Sequence, residues 1–491
     1  MARGARRRRA ESFFEQDRPM KHEPSPESTS KESRRGAAVS SASPKSKPST
    51  AASDARKPAL DAAAIRAKEK EFLFPATAHY YQEPIALESG RGMRVRDIDG
   101  REYLDFFGGI LTLSLGHCHP GVNAALKAQI DRLGHVSTLY PTLPMVELAE
   151  RLARITPGRL QKSYFTASGT EADETAVVLA QVYTGALEII ALRHGYSGRS
   201  MLAQSLTAHA PWRAVPTQIA AIKHAVSPYC YRCPLGLTYP SCKIKCATDI
   251  EEIVQTTTTG KIAGFLAEPI QGVGGFIAPP PEYFEIAVSI IKKYGGVFIC
   301  DEVQTGFGRT GKHMFGISHW GVEPDIMTMA KGIANGMPLA ATIATPEIAD
   351  SFKKMTISTF GGNPLSCAAA NATLDVIESE DLARNAEVLG KRLHDGLEDL
   401  KRRIPAVIGD VRGKGLMQAI ELVANEKGGD RSPNAPATVR LFEETKKRGL
   451  LIGKGGLFGN VIRISPALNV GASEIDEALG ILRESFEAMK G

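Results

Sequence analysis

VFICDEVQTGFGRTGKHMFGISHWGVEPDIMTMAKGIANGMPLAA, Val297 to Ala341, is the stretch that decides how this chain is read. A short all-apolar run, Val297 to Cys300, ends in two acids, Asp301 and Glu302. Such a run predicts a fully buried strand that delivers a carboxylate at its C-terminal end. A second run, Ile326 to Ala330, delivers Lys331, with Gly332 and Gly336 close behind it. Open α/β sheets build their sites at the carboxyl ends of their strands, so a lysine there is poorly explained as a solvated surface charge.

A carboxylate and an amine offered by two such strands suit one chemistry well. The amine forms a Schiff base to pyridoxal 5'-phosphate, and Asp301 pairs with the pyridine nitrogen. A structural Lys–Asp pair fits the same spacing, and these residues alone leave both readings open.

Working outward, KSYFTASGTEADETAVVLAQVYTG, Lys162 to Gly185, predicts a strand over Ser163–Thr166 and then a helix. Ser168, Gly169 and Thr170 stand at the helix start, a good cradle for a phosphate. Glu171, Asp173 and Glu174 would repel an anion there unless they point away, and the same pattern also serves as a simple cap. Leu187–Ala191 predicts a strand, followed by a loop in which Tyr196 stands between Gly195 and Gly198, free to stack on a flat ring or to cover the core. Residues 261–267 predict a buried strand ending at Glu268-Pro269, and Pro281–Tyr294 a helix. Alternating apolar strands and helices imply a mainly parallel α/β sheet.

The flanks differ in character. Met93–Phe106 alternates around Asp99-Gly100 and predicts a hairpin. Helices are expected over Pro120–Leu133, Leu143–Ile155, Pro346–Lys353, Leu382–Arg403, Ala437–Lys447 and Glu474–Met489. Strands are expected near Leu339–Ala344, twice within Asp410–Val423, and at Leu451-Ile452 and Val461–Ser465. Residues 425–435, NEKGGDRSPNA, read as a mobile insertion.

The 43% apolar and 23% charged residues suit a large soluble enzyme, and no run of 18 apolar residues suggests a membrane span. Residues 1–70 hold 17 Lys and Arg against 9 Asp and Glu, a net +8 in a chain of +6, which leaves −2 for the remainder. The basic character therefore belongs to the tail, and the body has no footprint for nucleic acid. Residues 1–65, rich in Ser, Pro, Ala, Lys and Arg, lack the apolar content for a core and are expected to be disordered. The Arg6–Arg9 cluster could meet an anionic partner. Seven cysteines, an odd number in a long chain without a secretory signal, suggest a reducing compartment, read as the cytoplasm. Four of them, Cys230, Cys233, Cys242 and Cys246, have spacings that a structural zinc site could use. Disulfides or free thiols suit the same spacings, and a catalytic metal is not expected.

With these segments in hand, the chain resembles the class III aminotransferases over about residues 72–488. The motifs DEVQTGFGRTG, PDIMTMAKGIANGMPLAA, AEPIQGVGG, STFGGNP and VRGKGLM carry the likeness, and within the class it looks most like the alanine–glyoxylate aminotransferase 2-like group. The resemblance implies the fold type I of pyridoxal-phosphate enzymes: a large domain (131–375) on a mainly parallel seven-stranded sheet, and a smaller α+β C-terminal domain (376–491) packing with an N-terminal segment (66–130). By motif it makes Lys331 the cofactor-linked lysine that moves the proton, and Asp301 the partner of the ring nitrogen. Gln304 would meet the ring's 3-oxygen, Ser168, Gly169 and Thr170 would hold the phosphate, and Tyr196 would stack on the ring. Thr359 would reach the phosphate of a neighbouring subunit in a homodimer. Arg463 would clamp a substrate carboxylate, with Glu268 as its partner when no carboxylate is there; a structural Arg463–Glu268 pair is the alternative. Where the family has HGYHG this chain has HGYSG, with Ser197 for the second histidine. Phe107, Tyr140 and Trp212 are pocket-wall candidates that could equally be packing residues.

The implied reaction is ping-pong transfer of an amino group from an amino acid such as alanine to glyoxylate or pyruvate. Alternatives on the same scaffold are ω-amino acid–pyruvate, 4-aminobutyrate or ornithine-type aminotransferases. An alternative of another kind is a non-catalytic scaffold with an anion-binding tail.

Overall fold

The computed structural model describes residues 61–216 and 219–489. The expected disorder of the tail, up to residue 60, and the Arg6–Arg9 cluster lie outside them. Three sheets carry the fold. In chain order, β1 (Leu87–Arg91), β2 (Arg94–Asp97) and β3 (Glu102–Asp105) form the expected antiparallel hairpin and one more strand. The central sheet holds β4 (Lys162–Thr166), β5 (Ile189–Leu192), β6 (Ile222–Ala225), β7 (Gly264–Ala267), β8 (Val297–Asp301), β9 (Ile326–Met329) and β10 (Ala340–Ala344). Its order is β4-β10-β9-β8-β7-β5-β6. Only β10 runs against its neighbours; β9, β8, β7, β5 and β6 are parallel.

The inner strands β5, β7, β8, β9 and β10 are buried at every residue, whereas edge strands β4 and β6 are partly open. That is why the inner strands read as unbroken apolar runs: helices cover both faces, so no position can be polar at low cost. Phe265 and Phe298 stack across β7 and β8 at 5.8 Å, with Phe284 of the helix Tyr283–Lys293 against them.

The third sheet is built from β11 (Ile408–Lys414), β12 (Met417–Asn425), β13 (Asp430–Pro433), β15 (Gly453–Gly455) and β16 (Val461–Ile464). The short β14 (Leu450–Leu451) leaves it and runs parallel to β3, tying the N-terminal hairpin to the C-terminal part. The helices Leu382–Arg403 and Ala472–Ala488 pack together, the first of them also against β11.

Several expectations shift. The segment 425–435 is not a loose insertion: Glu426–Gly428 forms a 3-10 turn and β13 pairs with β12. Tyr231 donates to Glu426 at 2.8 Å and Arg431 lies over its ring, so a neighbour pins what composition alone made polar. The helix expected to Lys353 stops at Ala349. Strand β6 and the helix Lys245–Thr257 were not anticipated. Among the described residues no helix is long and apolar enough to cross a membrane.

Candidate active site

The carboxyl ends of β4, β5, β7, β8 and β9 lie along one edge of the central sheet, and each is followed by an expected site residue. Asp301 ends β8 and Lys331 follows β9, its immediate parallel neighbour. Together with Ser168, Gly169, Thr170, Asp173, Tyr196 and Ser197 they line a cavity of about 280 Å³.

The two acids of the Asp301-Glu302 pair part company because successive strand side chains point to opposite sides. Asp301 faces the cavity and accepts from the Val303 amide at 2.9 Å. Glu302 faces away and is satisfied by the amides of Gly316 and Ile317 and the hydroxyl of Thr305. Burial pushes Asp301 up to about 6, against the pull of the Val303 amide and the Lys331 charge. Burial likewise pushes the Lys331 amine down, only partly offset by Asp301 and Glu268. Lys331 itself sits at φ +43°, a left-handed conformation that a side-chain-bearing residue adopts at a cost of about 1–3 kcal/mol.

At the start of the helix Gly169–Thr184 Glu171 and Glu174 are turned to other partners, whereas Asp173 lines the cavity. Glu171 accepts from Ser168 Oγ and the Ala167 amide, closing a cap. Glu174 takes the Ser200 hydroxyl. Asp173 turns into the sheet and accepts from Thr328 at 2.8 Å. The Ser168 side chain is thus spent on the cap, and the first-turn amides of Gly169 and Thr170, which no helix can satisfy internally, face the cavity. Gly198 lies against Thr170 so closely that a Cβ would fall 2.0 Å from Thr170 Oγ1.

Asp173 was not singled out as a site residue. It is 1% exposed, and burial together with the Asp301 charge pushes its carboxyl well above the usual range. Ser197, in the position of the family's second histidine, lines the same cavity beside it. The sequence offered one signal, an acid at the fifth position of a helix whose first turn was already capped.

Further along the edge, Glu268 accepts from the amides of Gly272 (2.7 Å) and Tyr196 (3.2 Å). Burial and the Asp301 charge push it up to about 8. Gln304 is buried beside Gly272, where a Cβ would fall 2.2 Å from its carboxamide, and its Oε1 has no partner. Arg463, on β16, is buried with its guanidinium over the rings of Phe107 and Phe276. It donates to Lys454 O at 2.9 Å and Gly272 O at 3.4 Å, and at 3.5 Å to Tyr80, a second residue the sequence did not single out. Among the described residues no carboxylate, Glu268 included, lies within ion-pair distance of Arg463. Burial lowers its affinity for its own proton.

Three named residues stand apart. Thr359 is exposed and does not line the cavity. Tyr140 is exposed, and Trp212 meets Tyr196 edge-on at 6.0 Å. Cys230, Cys233, Cys242 and Cys246 are free thiols lining a separate cavity of about 20 Å³. Among the described residues no group of three or more His, Cys, Asp or Glu is placed to hold a metal ion.

The arrangement fits one kind of guest. Two free amides at a helix start suit a phosphate, a buried acid suits a protonated ring nitrogen, the orphaned Gln304 oxygen lacks a donor, and a proton-poor amine suits an aldehyde carbon. The comparisons agree. Residues 76–486 match the family Aminotransferase class-III. The chain is 44% identical over 405 residues to the mitochondrial alanine–glyoxylate aminotransferase 2 homolog 2 of Arabidopsis thaliana, covering 82% of this chain and 83% of that one. It is 38% identical over 439 residues to the human mitochondrial alanine–glyoxylate aminotransferase 2, covering 85% of each. A solved amine transaminase from an uncultivated Pseudomonas species, in its PLP-bound form, superposes with a TM-score of 0.79 at 34% identity, over 86% of this chain and 99% of that one. With the cavity, the paired strand ends and these likenesses all converging, the chain belongs to the class III aminotransferases and is a pyridoxal 5'-phosphate-dependent aminotransferase.

Proposed function

We propose that this aminotransferase takes its amino group from an α-amino acid, with alanine as donor, and passes it to glyoxylate or pyruvate in a ping-pong sequence. The observation that carries the substrate reading is Arg463, a buried guanidinium without a carboxylate partner, close enough to Lys331 for its charge to act on the amine. A buried cation left unpaired is costly, and a carboxylate-bearing substrate relieves that cost with bidentate, orienting hydrogen bonds. Glu268, pushed up by burial, stays protonated near neutral pH and does not compete for the arginine.

The residue roles follow from position. Lys331 Nζ would hold the cofactor's aldehyde carbon and would move the proton at the substrate α-carbon. Asp301 would keep the ring nitrogen protonated. The Gly169 and Thr170 amides, with the capped Ser168, would hold the phosphate. Tyr196 would cover the ring, and Gln304 would meet its 3-oxygen. When bound, the cofactor supplies an electron-accepting ring that stabilises negative charge at the α-carbon.

The active unit is read as a homodimer, with Thr359 reaching the phosphate of a neighbouring subunit. Its support is the apolar surface around Thr359: Met355, Ile357, Phe360, Leu139 and Tyr140 are all exposed. The domain boundaries near residues 130 and 375 are our reading of sheet membership, with β14 joining the N-terminal segment to the C-terminal part. The free state of all seven cysteines favours a reducing compartment, read as the cytoplasm, although the two relatives above are named as mitochondrial.

A donor panel tests the substrate reading: alanine, β-alanine, 4-aminobutyrate and ornithine, each with glyoxylate and with pyruvate. Alanine with glyoxylate is expected to give the highest kcat/KM. A clear preference for an ω-amine donor would replace this reading with the ω-amino acid, 4-aminobutyrate or ornithine alternative.

A further inference from the structure

Arg412 lies outside the cavity, in the VRGKG segment of β11, with 11% of its side chain exposed. Its register is informative. Arg412 pairs with Ala419 on β12, and Ala419 pairs with Arg463 on β16. Residues paired directly across strands project from the same face. The two arginines therefore stand on one face, two strands apart, about 10 Å, with only an alanine methyl between them.

The same short turn covers both. Gly272 to Gly275 is closed by the Gly275 amide donating to Gly272 O at 3.1 Å. Arg412 Nε donates to Gly275 O at 2.8 Å, and Arg463 Nη1 donates to Gly272 O at 3.4 Å. The Gly456 amide, on the loop after β15, donates to Val273 O at 2.9 Å. The Gly272 amide in turn donates to Glu268. One turn thus touches both arginines and the glutamate, and among the described residues Arg412 is the side chain that hydrogen-bonds its far end.

Arg412 is itself held rigidly. Its Nη1 reaches Asp410 and Glu421, each at 2.8 Å, its Nη2 reaches the Tyr229 hydroxyl at 3.0 Å, and its guanidinium lies 4.9 Å over that ring. Glu421, on β12, also accepts from Tyr229, Arg232 and Asn460. Gly275 is at φ +101°, and a Cβ there would meet Val461 at 3.0 Å and Arg412 Nη2 at 3.1 Å, so the turn seats closely against this network.

We propose that Arg412 is a positioning residue for substrate-carboxylate recognition: with Glu421 and Tyr229 it fixes the Gly272–Gly275 turn, and the turn fixes the guanidinium of Arg463 and the carboxyl of Glu268. The assignment rests on the reading of Arg463 as the carboxylate clamp. It predicts a specific defect. Loosening the turn should weaken donors that carry a carboxylate and spare the chemistry at the amine.

The test uses the full-length holoenzyme and two variants, Arg412→Lys and the double variant Arg412→Met with Asp410→Asn, in which Glu421 keeps its ion pair with Arg232 so that folding is not confounded by an orphaned acid. Kinetics are measured with alanine and with 2-aminopropane, and hydrogen exchange is followed over residues 270–277. Arg463→Ala is run in parallel. The expected result is a KM for alanine raised roughly 10- to 100-fold, as for a sub-ångström to 1 Å misplacement, with little change in kcat and in turnover of 2-aminopropane. Exchange in 270–277 should quicken while that in the central sheet is unchanged. Equal losses for both donors, unchanged KM for alanine while Arg463→Ala raises it, or unchanged exchange in the turn would each overturn the positioning role. An Arg463→Ala enzyme with unaltered preference for alanine would instead remove the carboxylate reading, and this proposal with it.

Discussion

Two regions of this molecule bury charge at similar depth and treat it in opposite ways. On the C-terminal sheet, Glu421 accepts from Arg412, Arg232, Tyr229 and Asn460, and every charged group of the network has a partner. At the edge of the central sheet, Asp173, Asp301 and Glu268 crowd around one amine, Arg463 has no acid in reach, and Gln304 keeps an orphaned oxygen. The first region spends its charges on holding two elements together. The second holds them in reserve for a guest. Buried charge alone does not mark a site; unsatisfied buried charge does.

The largest expected effect is on chemistry. Lys331→Ala should reduce transamination at least about 10⁴-fold, since it removes the proposed covalent anchor and proton carrier together. Steady-state rates with alanine and glyoxylate check it; a variant retaining a tenth of the activity would put the reserve charges elsewhere.

Next come two buried glutamates of opposite expected sign. Burial pulls Glu421 upward, but Arg412, Tyr229 and Arg232 together overcome it and hold the group below the usual range. Its contribution is therefore present above the unfolded carboxylate pKa and lost as pH falls. Glu421→Gln should destabilise the protein by about 3 kcal/mol at pH 7 and by less at pH 4. Glu268 is pushed up to about 8, so the folded state binds more protons than the unfolded one between about pH 4 and pH 8. Stability of the cofactor-free protein should fall across that window, and Glu268→Gln should remove the Glu268 share of the fall, leaving that of Asp301 and Asp173, and gain on the order of 2 kcal/mol at pH 8. Urea titrations at pH 4, 6 and 8 measure both. The same sign for the two variants would erase the contrast between the regions.

The smallest effect is expected at Asp173. Burial and the Asp301 charge push its carboxyl well above the usual range, and an amide of the same shape is expected to replace it with little loss. Asp173→Asn should change cofactor affinity by less than about 1 kcal/mol, whereas Asp301→Asn should weaken it clearly. Equilibrium titration of the cofactor-free variants with pyridoxal phosphate compares them, and a large loss at Asp173 would mean that it is charged.

What the sequence showed follows from the same physics. Buried on both faces, β8 and β9 could only be apolar, and Asp301 and Lys331 stood out at their ends for that reason. The helices Leu143–Ile155 and Leu382–Arg403 appear with the expected bounds, because amphipathic periodicity over three or more turns is a strong signal. Strand β6, with Lys223 and His224 in its four residues, sits at an edge and carries no such run. The segment 425–435 looked loose because its order comes from Tyr231, far away in the chain. The pairing of Arg412 with Arg463 depends on the register of three strands, and Tyr80 reaches Arg463 from a segment of no regular structure; neither relation has a local signature. Whether the acids after Ser168 point away from the cavity could be posed as a question from sequence, but only side-chain directions show that Glu171 and Glu174 do and that Asp173 lines it.

Central to everything is that Lys331, and no other lysine, receives the cofactor. Reduction of the pyridoxal-phosphate-loaded enzyme with borohydride, followed by peptide mass spectrometry, tests this most directly. The account predicts a stoichiometric pyridoxyl group on Lys331 Nζ alone. A modified lysine elsewhere with Lys331 untouched would contradict it.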